Sequence, residues 1–140
     1  MLGLVRHSPS WYRDRLREEL YERRAAHTSW RKLSETADVL FCISRAHYDG
    51  FPVRNAPLPS VATCYGRFLY TYMLAKYTSR WMFYRAVAIS CGATQHDCVR
   101  EVVNPSKDKK LNEVALRHQL DPIKFKRVAR QLRRVWPLLP

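Results

Sequence analysis

With 140 residues, 46% of them hydrophobic, eight Tyr and four Trp, the chain is long enough for one modest core, and its composition excludes a disordered polymer. Its 25 Lys and Arg against 12 Asp and Glu leave a formal net charge of +13, which favours an anionic partner: nucleic acid, an acidic membrane face or an acidic protein. The four glycines, Gly3, Gly50, Gly66 and Gly92, are too scattered to build a phosphate-cradling loop, which removes the nucleotide-hydrolysing class.

The opening MLGLVRHSPSW has no apolar run of the length a secretory leader needs. The widely spaced Cys42, Cys64, Cys91 and Cys98 then read as free thiols in a reducing compartment, so the expected location is intracellular, nuclear or cytoplasmic. Arg6 and Arg13 without an early acid are also compatible with a mitochondrial presequence, although Asp14, Glu18, Glu19 and Glu22 follow at once.

Ser10 is placed to cap a first helix through WYRDRLREELYERRAA, where Arg15, Glu19 and Arg23 stand four apart for ion pairing and Leu16 and Leu20 form one narrow apolar strip. Thr28 or Ser29 caps a second helix, whose Trp30, Leu33, Ala37, Leu40 and Phe41 recur at three and four as a core-facing stripe. Gly50, Pro52, Pro57 and Pro59 then break the pattern and mark the best internal boundary.

From residue 61 to about 90 the chain is aromatic and free of proline, and at 100° per residue its apolar side chains spread around the whole circumference. A helix of that kind is expected to be buried on several sides, as the central helix of the core. Arg67, Lys76, Arg80 and Arg85 interrupt it too often for a membrane span. The interleaved bases and aromatics of YTYMLAKYTSRWMFYR would also suit stacking of unpaired nucleobases, although such residues fill cores more often.

Asn104-Pro105 signals a turn, and Ser106 is placed to cap the helix that follows. Leu111, Val114, Ala115 and His118 form its inner face, and Leu120 sits in the next turn. Asp121 and Pro122 are suited to the cap and first position of a last helix, because proline's missing donor would be unpaired there anyway. On that helix Phe125, Val128, Ala129, Leu132, Val135 and Trp136 share one arc, while Lys126, Arg127, Arg130, Arg133 and Arg134 take the opposite side. Residues 107–134 hold ten bases against Asp108, Glu113 and Asp121.

This segment resembles the helix-turn-helix of bacterial repressors, sigma factors and transposases: a small residue in the first helix (Ala115), an apolar turn residue (Leu120), then apolar positions (Phe125, Val128) in the second. The resemblance covers about 25 residues and departs at Gln119, where the family usually has glycine for a left-handed turn. It implies that the second helix lies in the major groove with Pro122, Lys126, Arg127 and Arg130 near DNA. Lys107, Lys109, Lys110, Arg133 and Arg134 would hold phosphates, and Lys124 adds to the same basic set.

Cys91, His96 and Cys98 are soft ligands, but their spacing matches no zinc knuckle and no third catalytic partner or oxyanion hole accompanies them. No metal, cofactor or catalytic residue is therefore expected. The chain reads as one all-α domain with a basic hairpin at 106–136, a non-enzymatic DNA binder favoured over an RNA binder. The alternative is a basic accessory subunit or adaptor that docks on a larger protein or ribonucleoprotein assembly through the aromatic helix, its charge meeting an acidic protein or structural RNA.

Overall fold

The computed structural model describes residues 7–53 and 58–136, which form five α-helices and no strand. The all-α expectation holds. Arg6 of the presequence reading, Pro57 of the proline-rich connection and the tail at 137–140 lie outside the described residues.

The chain divides into two compact units, and the division falls inside a helix, between Leu74 and Ala75. The first unit contains α1 (Pro9–Ala25), α2 (Ser29–Tyr48) and the beginning of α3 (Cys64–Ser90). Ser8, not Ser10, caps α1 by accepting from the Trp11 amide at 3.3 Å, because Pro9 is suited to the first helical position and moves the start forward. Thr28 caps α2 as its sequence suggests, with Arg31 N–H donating at 3.2 Å.

Between α1 and α2 the core is Tyr12, Ala37, Leu40, Cys42, Ile43 and Ala46. Tyr12 donates to the Asp49 carboxylate at the end of α2, which also accepts from Arg45 Nε at 3.3 Å. Burial raises the Tyr12 phenol's pKa above its ordinary value and pushes the Cys42 thiol up to about 11. Arg15 pairs with Glu19 as its spacing suggests, but Arg23 instead donates to Thr36 Oγ1 on α2 at 2.9 Å. Trp30 was expected inward and is 60% exposed. Helical side chains lean toward the N-terminus, so one in the first turn overhangs the helix end; the indole lies edge-on to Tyr72 of α3, ring centres 5.5 Å apart.

At the start of α3, Thr63 Oγ1 accepts from the Gly66 amide at 2.9 Å. A Cβ at Gly66 would sit 2.0 Å from the Ser60 carbonyl oxygen, so the turn into α3 admits glycine there and nothing larger. The expected burial of α3 on several sides is not what forms. Leu69, Met73, Phe83 and Val87 lie inward along one stripe, whereas Tyr65, Phe68, Leu74, Met82 and Ile89 are exposed.

The second unit holds the rest of α3, a 3-10 turn at His96–Cys98, α4 (Asp108–Arg117) and α5 (Pro122–Arg133). Its core joins Phe83, Tyr84, Val87 and Ala88 of α3 to Val99, to Leu111, Val114 and Ala115 of α4, and to Phe125 and Ala129 of α5. Trp136 tucks against it, edge-on to Phe83 at 5.6 Å with its Nε1 donating to Ser79 Oγ at 3.0 Å. Ser106 does not cap α4: its amide and hydroxyl both bind Asn104 Oδ1, and the helix begins at Asp108, whose charge suits the N-terminal dipole. Among the described residues, no helix is long and apolar enough to cross a membrane.

Glu19 is buried on α1, and burial lifts its pKa to about 7, with Arg15 opposing and Asp38, Glu22 and Glu35 adding to the rise. The folded chain therefore holds a proton there that the unfolded chain loses near pH 4.5, so stability falls as pH rises between about 4.5 and 7. Urea unfolding at pH 5 and pH 7.5, followed by circular dichroism, should show a loss on the order of 2 kcal/mol attributable to this group. Glu19→Gln should abolish that part of the pH dependence; an unchanged profile would rule the assignment out.

Candidate nucleic-acid interface

The turn between α4 and α5 is built by backbone geometry. Gln119 takes φ 55°, in the left-handed region, so that Leu120 N–H reaches Ala115 C=O at 2.9 Å and Gln119 N–H reaches Leu116 C=O at 3.1 Å. This closes the last carbonyls of α4 and drops Leu120 onto the core beside Ala115. Gln119 thus occupies the conformation for which glycine is the usual choice, at a cost of about 1 kcal/mol. Asp121 then caps α5, its Oδ1 accepting from the amides of Ile123 at 2.8 Å and Lys124 at 3.3 Å.

The hairpin is fastened by its own charges. Buried Glu101 accepts from Arg117 Nη1 at 2.6 Å, and His118 Nε2 lies 3.2 Å from the same oxygen. Arg130 of α5 pairs with Asp108 of α4, and Arg133 donates to the Pro105 carbonyl at 3.2 Å. Lys124 Nζ reaches the Cys91 carbonyl at 3.4 Å, and Lys110 pairs with Glu113 at 2.9 Å. The hydrogen bonds from Arg130 and Lys110 hold the Asp108 and Glu113 carboxyls below their usual range.

The nine basic residues expected to form a site therefore fall into groups. Lys110, Lys124, Arg130 and Arg133 are engaged within the unit, and Lys107 stands at the cap position of α4. The side chains of Lys109, Lys126, Arg127 and Arg134 make no hydrogen bond or ion pair among the described residues. On α5 the outward row is Ile123, Arg127, Arg130 and Arg134, spaced four, three and four. Ile123, 79% exposed, is the member that composition-based reasoning passed over; its place on the Arg127 arc was the available clue.

Elsewhere, Cys91, His96 and Cys98 are not gathered within coordinating reach. Among the described residues, the group of three metal-type ligands that does approach within 4.8 Å is Glu19, Glu22 and Glu35, where Arg15 already serves Glu19. Burial raises the Cys91 thiol's pKa, which does not favour a reactive thiolate. No family model, curated protein or solved structure matches the chain.

Two substitutions test this geometry. Gln119→Gly should stabilise the chain by roughly 1 kcal/mol in denaturant unfolding by relieving the left-handed strain, whereas Gln119→Val should destabilise it. The Tyr84 ring stacks on Phe125, but its hydroxyl is buried with no hydrogen-bond partner among the described residues. Tyr84→Phe should accordingly leave stability unchanged or raise it by about 1 kcal/mol, since no bond is lost and an unmet polar group is removed.

Proposed function

We propose that the chain is a non-enzymatic DNA-binding protein that contacts duplex DNA with the α4–α5 hairpin in the manner of a helix-turn-helix. The observation that carries this reading is the partition of α5: its apolar face is spent on the core, and Lys126, Arg127 and Arg134 are left outside with no carboxylate partner among the described residues. The left-handed backbone at Gln119 supports it further, since that is the turn conformation such hairpins use and the sequence lacks the usual glycine.

In this reading α5 enters the major groove. Arg127 is the residue placed to read a base edge, with guanine favoured, and exposed Ile123 beside it suits a thymine methyl group. Lys109, Lys126 and Arg134 neutralise phosphates. Arg130 and Arg133 act differently from the sequence expectation: they hold α5 against Asp108 and Pro105, fixing the presentation of the other three. A second reading, an adaptor that docks on a larger assembly, draws on the exposed Met82 and Ile89 of α3.

Fluorescence anisotropy with random-sequence duplex across a salt series separates the two. The proposal expects binding that weakens steeply with salt, and Lys126→Gln with Arg134→Gln, which remove two phosphate contacts, should reduce the slope of log affinity against log salt by about two, while Lys126→Gln with Arg127→Gln should weaken binding and reduce the slope by about one. Arg130→Gln should lower thermal stability as well as affinity. A duplex affinity unaffected by the Lys126 and Arg127 changes, or no binding at low salt, sinks the DNA reading and leaves the adaptor.

A further inference from the structure

The first unit carries a second surface that the hairpin reading does not use. Trp30 of α2 stands edge-on to Tyr72 of α3, and Tyr72 stacks on Phe68 at 6.4 Å with the rings 21° from parallel. One turn back, Tyr65 continues the row, and Trp30, Tyr65 and Phe68 are each more than half exposed. Exposed rings held in mutual contact and already ordered lose little freedom when another flat group lies on them.

The electrostatics around these rings has one sign. No Asp or Glu occurs between Asp49 and Asp97, so α3 carries no acid at all, and none occurs between Glu22 and Glu35 on the α1–α2 side. Arg24, Arg31 and Lys32, which flank Trp30 in the sequence, are exposed, and none pairs with a carboxylate among the described residues. Exposed Leu74 and Arg67, a heptad apart, share a face of α3 roughly opposite Tyr65, so the row of rings is itself aromatic and not a mixed greasy face. Rings plus unneutralised cations match a polymer that offers flat bases and phosphates together.

We infer that the Trp30, Tyr65, Phe68 and Tyr72 surface binds unpaired nucleic acid, with bases stacking on the rings and Arg31, next to Trp30 in the first turn of α2, meeting the phosphates. The chemistry is shared by single-stranded DNA and RNA, because every base has a stacking face. This site is independent of the α4–α5 hairpin and stands or falls separately from it.

The test uses the full chain with Lys109, Lys126, Arg127 and Arg134 changed to Gln, so that the hairpin no longer contributes. Fluorescence anisotropy is measured with a fifteen-residue thymidine oligonucleotide, a uridine oligonucleotide of equal length and an abasic DNA of equal length; vesicles containing phosphatidylserine serve as the lipid arm. The inference expects both base-bearing strands to bind, the abasic strand to bind much more weakly, and Trp30→Ala or Phe68→Ala to weaken binding on the order of tenfold. Trp30→Phe should restore most of the affinity, which a merely lost fold would not, and circular dichroism of each variant checks folding. The thymidine and uridine arms tell DNA from RNA preference. Equal binding of the abasic strand, unchanged affinity on Trp30→Ala, binding to the vesicles alone, or self-association of the chain without oligonucleotide binding would each overturn the inference.

Discussion

The burial of one face of α5 is the constraint on which the second unit depends. Phe125 and Ala129 are fully inside, stacked against Tyr84 and the inner residues of α4, and Val128 and Leu132 close over them. Fully burying a side chain such as Phe125 contributes roughly 2–3 kcal/mol, which no surface ion pair of this chain rivals. Because the helix has one period, fixing that arc fixes the opposite arc as well: Arg127 and Arg134 point outward because Phe125 and Ala129 cannot. The basic face is thus a consequence of core packing, and its geometry is as rigid as the core beneath it.

Charge does a second, subordinate job in the same hairpin. Arg130 with Asp108, Arg133 with the Pro105 carbonyl, and Arg117 and His118 with Glu101 tie α5 and the end of α4 to the segment that precedes them. Exposed pairs of this sort contribute little each, but Glu101 is buried and would be left uncompensated without its two partners. The basic surplus of the region is therefore not one uniform patch. Part of it is consumed in holding the hairpin, and the remainder, Lys109, Lys126, Arg127 and Arg134, is what an anionic partner would meet.

Much of this was legible in the chain. Asp121 and Pro122 announced the start of α5, Thr28 that of α2, and the arc of Phe125, Val128, Ala129 and Leu132 announced the buried face, since each rests on local backbone chemistry or on helical period. Trp30 and the several-sided burial of α3 were misjudged, because periodicity says which residues share a face and not how far a partner extends along it. Ser106 lost its cap role because its amide and hydroxyl both donate to Asn104 Oδ1, and α4 starts one residue later than a Ser106 cap would set it, with Lys107 at the cap position, a local turn that propensity alone does not rank. The split of the basic residues into tethered and unengaged sets was invisible, since Arg130 and Asp108 are 22 residues apart and meet only through the fold.

The most direct measurement of the central claim is a nuclear magnetic resonance titration of the isotopically labelled chain with a short duplex. The account predicts amide and side-chain shifts concentrated on Lys109 and on the outward row from Ile123 through Arg134, with the buried Phe125 and Ala129 environment preserved. Shifts confined to other elements, with this row unmoved at saturating duplex, would contradict it.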